Sequence, residues 1–307
     1  MADRKGLALA FTTAFLWGFG GVLIRLLSPL PAVMITGLRL TIAAAAVLPF
    51  LAWRWRELPF ADLRRKSTYF AATMLVSYFF TAAMAFQRIP VAEVAVLLAA
   101  APLLVMLFNL IRRVAVTRGE KFGALLAFCG VAIVVLPGFT SGAANLHRLS
   151  GDALAILSAG CTATFATMFA RDHHGDSRSA DPTVVALTAF VLGGAITLII
   201  GLLVTGPHRA LLTTRTHLVP ALLLGVFVTA APSLAYSTAS RRLPAVVTTT
   251  IQLLIPVVSV FAAAYILNEA PSIWVLPGGA LVLGGIGIMV RSTRSKELAI
   301  AEEFTNV

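Results

Sequence analysis

Over 307 residues this chain is 59% hydrophobic and 12% charged, with a mean hydropathy of +0.91. A soluble domain carries roughly 25% charged residues, about twice this share, so a water-soluble globular fold is excluded and no polar stretch could form a separate soluble domain. The formal net charge of +11 does not point to nucleic acid. The basic residues sit in short clusters between apolar runs, where anionic lipid headgroups are their natural partner.

A membrane-spanning helix needs about 20 mostly apolar residues. The chain offers ten such runs, over 7–26, 32–53, 69–87, 91–111, 120–138, 152–170, 183–204, 218–239, 244–267 and 271–290. The first lacks a small-residue cleavage site and is read as a retained helix, not a removed signal peptide. Within it, Trp17 lies deep in the span, away from the interfacial belt where such rings collect, and Gly18, Gly20 and Gly21 allow close helix approach. The second carries Arg39, about 10 Å inside at 1.5 Å per residue. Intramembrane charges face a partner or an aqueous cavity. Glu93, at the start of the fourth span, is the expected partner in a structural clasp or gate. A direct role for Arg39 with a substrate carboxylate is the second reading.

The third and sixth spans add the deep aromatics Tyr78, Phe79 and Phe165, and the eighth adds Tyr236. These rings either wall a pocket for a flat apolar group or pack helices. Pro102 interrupts the fourth span and Pro256 the ninth. A proline in a helix removes an N–H and frees the carbonyl four residues back, here those of Leu98 and Gln252. In lipid such an acceptor needs a protein partner or a water-filled cavity, so these bends either line a central cavity or are ordinary kinks. Thr248, Thr249, Thr250 and Gln252 make the ninth span polar before its bend. They can hold a substrate's amino or carboxylate group or bond a neighbouring helix, a contact worth about 0.6–2 kcal/mol. Glu120 and Glu269 begin the fifth and tenth spans, where the helix dipole favours a carboxylate by roughly 0.3–1 kcal/mol. Cys129 and Cys161 fall in apolar segments as small packing residues; no metal-ligand spacing or disulfide framework exists, and no cofactor is expected.

Two stretches repeat at an offset of 154 residues: Arg88 matches Arg242, Pro90 matches Pro244, Pro102 matches Pro256 and Gly130 matches Gly284. With the N-terminus cytoplasmic, 18 of the 24 Lys and Arg residues fall on the inner side, five on the outer side, and Arg39 lies within a span. The positive-inside rule therefore places both termini in the cytoplasm. Five spans per half turn the second half over relative to the first. The expected fold is an all-α integral membrane protein, ten transmembrane helices arranged as two inverted five-helix repeats, residues 1–145 and 146–307, around a central cavity. Such repeats supply inward- and outward-open states with a site between the halves.

The chain resembles the drug/metabolite transporter superfamily, of the ten-helix type built from two EamA-like halves. The likeness is carried by Phe15-Leu16-Trp17-Gly18-Phe19-Gly20, Arg39, Ile89-Pro90, Ala100-Ala101-Pro102-Leu103 and Gly119-Glu120 leading to Gly130-Val131. The second copy shows Ile255-Pro256, Asn268-Glu269 and Gly284-Gly285-Ile286-Gly287. The sixth span departs from the first, with no Trp-Gly pair between Ser158 and Phe165. The resemblance implies export of small metabolites and is nearest to bacterial exporters of aromatic amino acids.

A secondary transporter of small molecules, monomeric and in the cytoplasmic membrane of a bacterium, is thus the expected function. Its partners are a small-molecule substrate and membrane lipids, with no nucleic acid. No glycine-rich phosphate loop with Lys and Ser/Thr supports direct ATP use. Two alternatives remain. One is an exporter of drugs, organic cations or other metabolites. The other is an integral membrane enzyme acting on lipid-linked substrates, which needs an interfacial catalytic cluster; Asp172, His173, His174 and Asp176 read instead as a solvated linker. A sensor would need an attached signalling domain.

Overall fold

Lipid offers no hydrogen-bond partner to a peptide group, so an apolar chain of this kind satisfies its backbone inside helices. The structure, a computed structural model, describes residues 4–53, 60–111, 117–140, 145–170, 181–206, 217–242 and 251–305. The described residues form ten helical rods and no strand. Span one is α1 (Arg4–Gly18) and α2 (Gly20–Leu26), and spans two and three are α3 (Ala32–Trp53) and α4 (Lys66–Arg88). Span four divides into α5 (Val91–Ala99) and α6 (Ala101–Ile111), followed by α7 (Arg118–Thr140) and α8 (Asn145–Ala170). Span seven runs from α9 (Pro182–Thr188) through a π-helical stretch, Ala189–Gly193, into α10 (Gly194–Thr205). Span eight runs from α11 (Leu218–Leu222) through a second π-helical stretch, Leu223–Ala230, into α12 (Ala231–Arg242). Spans nine and ten are α13 (Leu254–Ile266) and α14 (Val275–Thr305). Seven of the rods are long and apolar enough to cross a membrane.

Spans four and nine, which carry Pro102 and Pro256, are both interrupted. Span four breaks at Ala100, two residues before Pro102, where Ala100 N–H donates to Leu97 O at 3.2 Å and Leu103 N–H to Ala100 O at 2.9 Å. Span nine breaks at Leu253, between helical Gln252 and α13. Pro256 then sits in the first turn of α13, where its missing N–H would have had no helical acceptor anyway. The two breaks fall at matching places in the repeats. Span one also breaks, at Phe19, which no proline announces. There the Gly18 carbonyl accepts a hydrogen bond from Ser259 Oγ at 2.8 Å.

Arg88 closes α4 at the end of the bundle where Arg25, Glu93, Arg148 and Glu269 collect; this is called the clasp end. Arg242 closes α12 at the opposite end, beside the start of α1, where Ala239 packs with Ala10; this is the terminal end. Matching residues at opposite ends are the signature of inverted repeats. Spans five and ten meet along a seam of glycines. A Cβ on Gly130 would stand 2.5 Å from the Gly278 carbonyl, and one on Gly123 would collide with the Gly285 backbone.

Glu120 caps its own helix. Its Oε2 accepts from Thr117 N at 2.7 Å, and the Glu120 N–H donates back to Thr117 Oγ1 at 3.1 Å, a reciprocal capping box. Glu269 does not cap span ten. It lies six residues before α14, bridges to Arg25 at 3.0 Å and accepts from Val91 N at 3.4 Å. The dipole argument thus holds for the first turn of α5 in the other repeat, because the chain after α13 folds back over it.

Candidate functional site

Arg39 is a buried charge within span two, 7% exposed. Its guanidinium carbon stands 4.1 Å from the centroid of the Phe79 ring, a cation–π arrangement. Its Nε donates to Thr229 Oγ1 at 2.6 Å. The second π-helical stretch makes this possible. Thr229 Oγ1 donates to the carbonyl five residues back, Leu224 O, at 2.7 Å, which leaves its oxygen turned to accept from Arg39. Gly225 lets span eight come close enough: a Cβ there would lie 2.5 Å from the Ile42 side chain and 3.2 Å from the Arg39 carbonyl.

The expected Arg39–Glu93 pair does not form. Glu93, 0% exposed, takes Arg148 instead, with Nη2 at 2.8 and 3.0 Å from its two oxygens. Arg39 sits about two turns into α3, whereas Glu93 lies in the first turn of α5 at the clasp end, within reach of the first turn of α8. Among the described residues no acid pairs with Arg39. Arg148 and Thr229 were the residues sequence reasoning missed. Arg148 lies one turn before the apolar run of span six, and a basic residue at that offset is the signal that it belongs to the helix and not to the loop. Nothing in the sequence marks Thr229, because its role depends on a π-helical register.

The aromatic candidates fall into two groups. Tyr78 and Phe79 have ring centroids 5.0 Å apart and share one cluster with Phe165, Phe190 and Leu234. Trp17 stacks on Tyr236 at 5.5 Å, tilted by 46°, joining span one to span eight. A crevice of about 20 Å³ lies between spans two, seven and eight, lined by Val47, Thr183, Phe190, Ser233 and Leu234 among others. That volume suits about one water molecule.

Leu98, two residues before the Ala100 break, is half-buried against the main core, as is Leu253 at the other break. Pro256 is buried and Pro102 half-buried. The Gln252 side chain ends in a buried Nε2 with no hydrogen-bond partner, an unmet donor beside the span-nine break. Thr248, with Thr249 and Thr250, lies outside the described residues. Among the described residues no three metal-ligating side chains cluster.

At the clasp end, Arg25 Nη2 donates to Ile89 O at 3.1 Å as well as to Glu269. The two ion pairs there, Arg25–Glu269 and Arg148–Glu93, join span one to the turn before span ten and span four to span six. Each crosses between the repeats. Gln87 Nε2 adds a hydrogen bond to Leu30 O at 2.8 Å.

The EamA-like transporter family profile matches residues 4–136 and again 149–291. A solved crystal structure superposes with a TM-score of 0.62 at 19% identity, covering 97% of this chain and 99% of its own; a likeness of that depth concerns the fold. None of the curated proteins compared with the chain matches it.

Proposed function

The chain belongs to the EamA-like transporter family, and from that premise we propose that it exports amino acids with aromatic or other apolar side chains by alternating access. In this reading it lies in the cytoplasmic membrane of a bacterium with both termini inside, so the clasp end faces out. The observation that carries the reading is Arg39. A guanidinium buried in the bundle, with one hydrogen bond to a hydroxyl and, among the described residues, no acid beside it, calls for an anion, and a substrate carboxylate supplies one. Phe79, Tyr78 and Phe165 stand beside it with apolar faces for a substrate side chain. Gln252 Nε2, with its unmet donor, offers a second polar contact where span nine breaks. The family's export of small metabolites and the position of Gln252 beside the span-nine break support this arrangement.

The test is uptake of radiolabelled phenylalanine, tyrosine and tryptophan into proteoliposomes, with phenethylamine as a competitor that lacks the carboxylate. The amino acids are taken up and the amine does not compete. Arg39→Gln abolishes uptake while the protein still elutes as a single folded species, and Arg39→Lys retains part of it. Equal competition by the amine would remove Arg39 as the anchor and favour export of organic cations, the second reading.

A further inference from the structure

The clasp contains a third charged side chain that its ion pair leaves unbalanced. Asp152 lies one turn beyond Arg148 on α8, is 1% exposed, and neither of its carboxyl oxygens has a hydrogen-bond partner. The charges acting on it are those of Glu93 and Arg148. Glu93 already occupies Arg148 Nη2 with both oxygens, and Arg148 Nε is buried without a partner. Among the described residues no second cation balances the site. From α4 comes Arg88, whose Nη1 is directed to Ser150 Oγ at 3.4 Å. The only charged residue of α5 is Glu93, and α6 has none. On α7 the charges, Arg118, Glu120 and Lys121, lie in the first turn at the terminal end. On α8 itself His147 is exposed. Among the described residues the count is two carboxyls to one guanidinium.

Two neighbouring carboxylates out of water cannot both stay ionised beside a single counter-charge. An unpaired buried charge costs several kcal/mol. One proton resolves the conflict. A protonated Asp152 gains an O–H that the Glu93 carboxylate can accept, and a hydrogen bond between two carboxyls exists only when one of them carries a proton. A metal ion fits less well: among the described residues no third acid, His or Cys joins the pair, and the guanidinium would repel it.

We propose that Asp152 and Glu93 form a proton-binding site whose occupancy holds the clasp shut, with Arg148 as its fixed counter-charge. On binding, an O–H bond forms at an Asp152 carboxyl oxygen with a proton taken from water. On release, the proton returns to water and two carboxylates confront one guanidinium. That repulsion separates span four from span six at the clasp end. The proposal rests on the export reading only for its consequence, a pH-dependent gate on transport; the site itself stands on the geometry.

The test needs no substrate, so its failure and that of the export reading are distinguishable. Infrared difference spectra are taken on the purified, lipid-reconstituted protein between neutral and alkaline buffer. Solvated carboxyls are already ionised at neutral pH, so a protonated-carboxyl band that disappears on alkalinisation reports the buried pair. The band is expected in the unaltered protein and lost in both Asp152→Asn and Glu93→Gln; the second variant leaves one acid with one guanidinium and keeps the test alive if the first does not fold. In parallel, Val91→Cys in a Cys129→Ala, Cys161→Ala background is labelled with a maleimide, at each pH corrected by a solvent-exposed reference cysteine. Corrected labelling is expected to rise with pH in that background and to lose its pH dependence when Asp152→Asn is added, which a purely structural role for Asp152 would not produce. Absence of the band, or its survival in both variants, overturns the proposal. Suppression of the band by sodium chloride but not by choline chloride also overturns it and assigns the site to a metal cation.

Discussion

The two ends of the bundle are built differently. At the clasp end the buried side chains form one continuous cluster from spans one, two, three, four and eight, including Ile24, Leu27, Leu30, Ile35, Val91, Leu97 and Leu224. The cluster extends down the seam between spans five and ten. Gly21 lets span one press against Phe86 and Val91, and Gly20 against Val228. Toward the terminal end the described core splits in two. One cluster joins spans two, three and seven around Phe79 and Phe190; the other joins spans one, eight and nine around Ala14 and Ile251. The polar ties differ as well. The clasp end is closed by two ion pairs between the repeats, whereas Asp62 at the terminal end accepts from the Asp181 N–H at 2.8 Å and so pins the start of span seven. The clasp end therefore combines a continuous apolar core with ion pairs around it, whereas the described core at the terminal end is divided.

The largest expected effect tests the packing difference itself. Ile24→Ala at the clasp end, 1% exposed in the main core, is expected to destabilise by about 2–5 kcal/mol, the range for emptying a packed core site. Leu234→Ala, beside the crevice at the terminal end, should fall at or below the low end of that range. Thermal unfolding followed in detergent compares the two, and equal losses would erase the distinction between the ends. A smaller effect is expected from Arg25→Ala, which removes the bridge to Glu269 and the hydrogen bond to Ile89 O. Both partners are partly exposed, at 27% and 21%, so the loss is about 1 kcal/mol, roughly a fivefold shift toward the opened clasp. Faster maleimide labelling of Val91→Cys reads it. The smallest effect on stability belongs to Gln252→Leu. Its Nε2 has no partner to lose, so stability should change by no more than about 0.5 kcal/mol, while transport falls. Unaltered transport kinetics would take Gln252 out of the site.

Much of this architecture was legible in the chain. The apolar runs and their charge caps outline ten spans, and the spacing of Arg88, Pro102 and Gly130 against Arg242, Pro256 and Gly284 displays the repeat. The span-four and span-nine breaks fall two and three residues before Pro102 and Pro256, the prolines that mark them in the sequence. Partner choice was not legible. Sequence position pairs Arg39 in span two with Glu93 at the start of span four. In the fold Arg148 reaches Glu93 first, and Arg39 turns to Phe79 and Thr229. Glu269 caps a helix of the other repeat, not its own.

What the sequence determined by itself is what local rules govern: apolar length, helix interruption, the inverted pairing of the halves and the family. The tertiary structure alone decided which charge meets which, where span one breaks, and that a π-helical stretch turns Thr229 toward Arg39. Hydropathy and proline act along the chain. A salt bridge acts across residues brought together only by packing, from Glu93 to Arg148 and from Arg25 to Glu269, and its energy depends on distance and burial that no spacing in the sequence encodes.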